Sequence, residues 1–182
     1  RLPDVHLNEK GQAQARRLAA GLAALPIKAI YASPLERAQE TAEPIARVQG
    51  LQVKTLPALL EIDFGSWQGK RLSRLKKDRM WKTVQDSPAS FRFPEGESFA
   101  EAQTRVAEGL TAISEQHGKK DVVVCAAHSD VIRLAVAHFL GMPLNHFQRV
   151  RIAPASVTVL NLNGGKAFFG PINYVFDLHL FE

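Results

Sequence analysis

The chain has 182 residues, 46% of them hydrophobic and 23% charged, with a net charge of +5 and a single cysteine. That length supports one domain, 1–182, with a full core. It holds no apolar run near the ~20 residues of a membrane span, and one thiol cannot form an internal disulfide, which points to a reducing, cytoplasmic setting.

In chain order, Asn8 is placed to cap a helix starting near Glu9, with Ala13, Leu18, Leu22 and Leu25 on its apolar face. Pro26 ends it, and Ile27 to Ala32 reads as a strand. Ser33-Pro34 turns into a helix from Leu35 to Val48, closed by Gly50. Val53 to Leu56 reads as another short strand. The strand–helix–strand rhythm predicts an α/β fold: a three-layer sandwich, mostly parallel central sheet, helices on both faces.

From Leu59 the pattern changes. Glu61, Asp63, two glycines and two aromatics fall within nine residues and fit neither a helix nor a strand period. Phe64 and Trp67 can anchor such a loop, and acid-bearing anchored loops are often functional. Leu72 to Trp81 reads as a short charged helix, and the proline-rich stretch from Asp86 to Gly96 as a candidate lid or insertion. Ser98 and Glu101 form a capping-box pattern for a helix to about Gln116.

Val122 to Ala127 is an unbroken apolar run that ends at His128. It reads as a central strand buried on both faces, with Ser129 or Asp130 capping the next helix. Cys125, inside this run, reads as a small buried hydrophobe. Asn163-Gly164-Gly165, between Val157–Leu162 and Lys166–Phe169, signals an antiparallel hairpin near the C-terminus.

His128 therefore stands at the carboxyl end of a strand and the mouth of a helix, where open α/β sheets bind ligands and free N–H groups favour anions. Ser33, Arg37 and Glu61 share that edge if the strands are parallel neighbours. An arginine there can grip a phosphate or carboxylate bidentately, or simply pair with Glu36 or Glu40 on the surface. Several chemistries are excluded. No G-x-S-x-G elbow occurs, and adjacent His128 and Ser129 project apart. No P-loop is present. His128 and His138 lack metal-ligand spacing, so no metal site and no cofactor is expected. Lys76, Lys77 and Arg79 are interrupted by Asp78 and carry no interleaved aromatics, so no nucleic-acid partner is expected.

Four segments in order carry a resemblance. Leu7 to Ala15 (LNEKGQAQA), Ser33 to Ala42 (SPLERAQETA), Leu60 to Gly69 (LEIDFGSWQG), and Pro94 to Ser98 (PEGES) with Ala127-His128-Ser129 are similar to the motifs of the histidine phosphatase superfamily, the phosphoglycerate-mutase-like fold. Phe147-Gln148-Arg149 and Pro154 to Val157 resemble a bacterial subgroup labelled probable phosphoglycerate mutase. The resemblance implies that Arg37 holds the transferred phosphoryl group and Glu61 protonates the leaving oxygen. His128 bonds the phosphoryl oxygens, with the Ser129 N–H nearby. It implies a phosphomonoester hydrolase working through a phosphohistidine on a small phosphorylated metabolite, with no membrane partner, and it allows a homodimer. The family's Arg-His-Gly, which carries the nucleophile, does not occur in this sequence; the expectation is that it lies with a first strand upstream of Arg1. The alternatives are a cofactor-dependent mutase, disfavoured because only Lys70 to Gly96 fills the space of the mutase insertion, and a degenerate phosphate-ligand module.

Overall fold

The computed structural model describes residues 1–176. Three parallel strands form its sheet: β1 (Ile27–Ala32), β2 (Val53–Thr55) and β3 (Val122–Ala126), in the order β2-β1-β3. Successive side chains of β1 point to opposite faces and define two layers. Ile30 and Ala32 pack with Leu18, Leu22, Ala42 and Ile45 of α1 (Glu9–Leu22) and α2 (Glu36–Gln49). Ala29 and Tyr31 pack on the other face with Leu59 and with Ile113 of α5 (Phe99–Gln116). The helices thus cover both faces, as the alternation predicts.

Of the three described strands β1 is the middle one, and the Val122–Ala127 run flanks it. β1 is paired on both sides and is buried at every position but Lys28, whereas each residue of β3 is partly exposed. Apolarity alone does not separate a middle strand from a flanking one. The register of β1 and β3 aligns Ala32 with Ala126, so Ser33 and His128 leave the sheet side by side.

Local signals fold as read. Asn8 accepts from the Gly11 N–H, Gly50 closes α2 at φ 65°, and the Ser98–Glu101 capping box is complete. The hairpin is antiparallel, with β4 (Leu160–Asn163) and β5 (Lys166–Phe169). Two readings are corrected. The segment after Leu72 is not one helix but two short ones, α3 (Leu72–Leu75) and α4 (Trp81–Asp86), with the Lys76–Arg79 charges in the turn between. The proline-rich stretch is no lid. Phe91 and Phe93 are buried in one nucleus with Ile62, Trp67, Phe99 and Phe147, and their rings pack edge to face at 4.9 Å. Prolines and serines suggest a loose segment, but two buried aromatics bolt it down.

The segments around Asp63 and Pro94 are laced backbone to backbone. Ser66 N–H donates to the Pro94 carbonyl and Glu97 N–H to that of Asp63, both at 2.9 Å. Gly65 has φ 49°, and a Cβ there would lie 2.0 Å from the Pro94 oxygen; one on Gly96 would lie 2.3 Å from the Asp63 oxygen. Only glycine fits at either position.

Candidate active site

The carboxyl ends of β1 and β3 bring Ser33 and His128 together. Both are buried, and His128 Nε2 and Ser33 Oγ share a hydrogen bond of 2.8 Å. His128 takes the N-cap position of α6 (Ser129–Phe139), so Ser129 and Asp130 lie inside its first turn rather than capping it. Ser129 is exposed there. Asp130 instead accepts from Arg133 one turn on, at 2.8 Å.

Glu61 follows the short turn at 57–59 and approaches His128, with Oε2 3.9 Å from Nδ1. Its carboxyl is pushed up to about 7, by burial first and by the Asp130 charge second, against the pull of the Ile62 N–H and of Arg37. Burial, and then Arg37, push the His128 ring down to about 4. The contact is therefore not an ion pair: between those values both groups are mainly neutral. Neutral imidazole keeps one donor and one acceptor, and Ser33 occupies Nε2.

Arg37, in the first turn of α2, lines the same cavity as Glu61, Asp130 and Arg133. It does not pair with Glu40, which takes His6 and the Leu7 N–H instead. Among the described residues it makes a long 3.4 Å donation to the Leu2 carbonyl. His128 and Ser129 are not among the cavity's lining residues; His128 meets the site through Glu61.

The sequence reading missed what holds the acid loop. Arg105 of α5 donates Nη1 to the carbonyls of Ala58 and Leu60 at 2.7 and 3.0 Å, and Nε and Nη2 to Glu97 at 2.9 and 3.0 Å. Burial pushes Glu97 up, but Arg105 and the Asp63 N–H outweigh it and hold the carboxyl below its usual range. Asp63, the second acid of the loop, accepts from the Gly65 N–H at 3.0 Å and pairs with Arg1 at 3.5 Å, so it builds the turn. The fourfold arginine joins residues far apart in the chain, and no local pattern announces it. Cys125 packs as a partly buried hydrophobe against Ala29, Tyr31 and Leu59, and desolvation pushes its thiol up to about 12, away from a nucleophilic thiolate. Among the described residues no helix is long and apolar enough to cross a membrane, and no cluster of metal-ligating side chains occurs.

An acid poised near neutrality beside an arginine, at the carboxyl edge of a parallel sheet, defines an α/β site suited to phosphate esters. The family model of the histidine phosphatase superfamily (branch 1) matches residues 1–173, and the chain belongs to that superfamily. Phosphoserine phosphatase 1 of Hydrogenobacter thermophilus is 31% identical over 163 residues, 88% of this chain and 77% of that protein. The probable phosphoglycerate mutase GpmB of Erwinia tasmaniensis is 31% identical over 158 residues, 85% of this chain and 73% of that one. The solved structure of Bacillus stearothermophilus YhfR has a TM-score of 0.86 at 29% identity, covering 93% of this chain and 85% of that chain. The family and its phosphatase-named members make the chain an enzyme of the phosphatase type.

Proposed function

We propose that the chain hydrolyses phosphomonoesters of small metabolites through a phosphohistidine. Arg37 holds the phosphoryl group, with the Ser129 N–H at the mouth of α6. Glu61 protonates the leaving oxygen. With Nε2 held by Ser33, Nδ1 is the atom of His128 left to bond a phosphoryl oxygen. The acceptor histidine is the one the family carries in Arg-His-Gly, a motif that does not occur in this sequence. The observation that carries the reading is Glu61: a buried carboxyl pushed up to about 7 beside an arginine keeps its proton near neutral pH, and an alkyl alkoxide leaves poorly without one. A general acid is worth about 10²–10⁴ in rate.

The test is Glu61→Gln, made in the full-length protein with the nucleophile present and assayed on an alkyl phosphate and on nitrophenyl phosphate, whose leaving group is stable unprotonated. Alkyl hydrolysis is expected to fall by about 10²–10⁴ in kcat, with little loss on the nitrophenyl ester. Equal losses on both would mean that Glu61 only shapes the loop.

A further inference from the structure

Residues 70–82 hold seven of the 23 lysines and arginines and one of the 18 acids. The stretch alone thus carries +6, and the rest of the chain, with 16 cations against 17 acids, carries −1. All seven cations are exposed, and among the described residues none of them pairs with a carboxylate. Asp78, which interrupts the run in the sequence, is half-buried, and its Oδ1 accepts from the Met80 N–H at 2.9 Å. It serves the turn between α3 and α4, so the charged side chains that this stretch exposes are all cations.

The patch stands on a fixed base. Leu75, Met80 and Trp81 pack against the aromatic nucleus, and Trp81 stacks on Trp67 at a ring-centroid distance of 6.3 Å and an interplanar angle of 21°. The backbone that carries the cations is therefore ordered before any anion arrives, which lowers the cost of binding.

Its shape and composition narrow the partner. Of the seven cations Lys70 alone lines the cavity that holds Arg37 and Glu61, so the others do not converge on a small ligand. Trp81 is the only aromatic of the stretch and packs inward, which leaves no stacking platform for a single-stranded nucleic acid. The helices α3 and α4, of four and six residues, are too short to lie along a duplex groove. Leu72 is the one large hydrophobic that the stretch exposes, too little for the apolar core of a protein interface. What is left is dense positive charge with no shape to read. Clusters of about four to eight lysines and arginines are what an anionic lipid leaflet attracts, and the net −1 of the rest of the chain makes this face the one drawn to it.

We propose that residues 70–82 form a docking surface for anionic phospholipid headgroups, holding the protein reversibly against a membrane face. The contact needs no spanning helix and does not depend on the phosphatase reading.

The experiment is cosedimentation of the purified full-length protein with vesicles of phosphatidylcholine alone and of phosphatidylcholine with about one third phosphatidylglycerol, in about 0.1 M salt, where charges act over about 10 Å. Binding to the anionic vesicles and not to the neutral ones is expected, with release at about 1 M salt. The double variant Lys76→Glu, Lys77→Glu is expected to weaken that binding at least about tenfold, as the reversal of two cations near a leaflet requires. The charge-matched double variant Lys119→Glu, Lys120→Glu, at exposed positions in the turn before β3, is expected to bind as the parent does. Circular dichroism and thermal unfolding of both variants separate loss of the surface from loss of the fold. A duplex DNA fragment added at equal phosphate is the competitor: vesicle binding that persists supports the proposal, and transfer of the protein to the duplex overturns it in favour of nucleic acid. Absence of binding to the anionic vesicles overturns it outright, as does an equal loss in the two variants.

Discussion

Glu61 and His128 meet at 3.9 Å, and burial drives the two toward neutrality from opposite sides. One becomes a weaker acid and the other a weaker base. Their contact is thus maintained by exclusion from water rather than by attraction between charges.

The pair has opposite effects on stability as pH changes. Glu61 moves from a usual 4.5 to about 7, so its contribution is complete below pH 4.5 and is lost as pH rises through 7. His128 moves from 6.5 to about 4, so its contribution is complete above pH 6.5 and is lost as pH falls through 4. Glu61→Gln removes the first dependence. Urea unfolding of parent and variant at pH 5 and pH 8 is expected to show the variant gaining up to about 3 kcal/mol on the parent between the two. Parallel stabilities at both pH values would show that Glu61 ionises freely.

Ser33 is wholly buried, and its hydroxyl is the partner of His128 Nε2. Ser33→Ala leaves a buried ring nitrogen without a partner, at a cost of about 1–3 kcal/mol. The ring is then free to turn, so kcat is expected to fall more than KM rises. Denaturant titration gives the first effect and steady-state kinetics the second. A variant as stable and as active as the parent would deny Ser33 any positioning role.

Arg105 reaches Ala58, Leu60 and Glu97 at once. A lysine carries the charge but not the fork, so Arg105→Lys cannot span these acceptors. Roughly 1.5–3 kcal/mol is expected for each charged hydrogen bond lost without replacement. The effect should extend to the pH profile, because the loop that Arg105 holds carries Glu61. On the proposed role of Glu61 as general acid, the alkaline limb of kcat is expected to shift toward lower pH as the loosened loop admits water. An unmoved limb with lowered Tm would confine Arg105 to stability.

Where the signal was local, it was legible. Asn8, Gly50, the Ser98–Glu101 box and the Asn163-Gly164-Gly165 turn each act within four residues, and each forms as read. Strand alternation with helices gave the layers, and the parallel register then brought Ser33, Glu61 and His128 to one edge. That β1 is the middle of the three described strands depends on which strands pair, and its apolarity matches that of β3. Arg105 contacts residues more than forty positions away through backbone carbonyls, whose identity no side chain records. The segment at 86–96 misled because prolines dominate its composition while two phenylalanines decide its packing.

The interlock of Gly65 with Pro94 and of Gly96 with Asp63 sets the unit in which this site can be transplanted. An acid loop cut from a relative and grafted at 60–69 will meet a host turn whose carbonyl already fills the space at Gly65. Specificity engineering by loop exchange therefore has to move 60–69 and 93–98 as one cassette, although some two dozen residues separate them in the gene product. Libraries that diversify the first segment alone will return mostly clones whose defect is assembly, and screening them for new substrates will misread a mechanical failure as a chemical one.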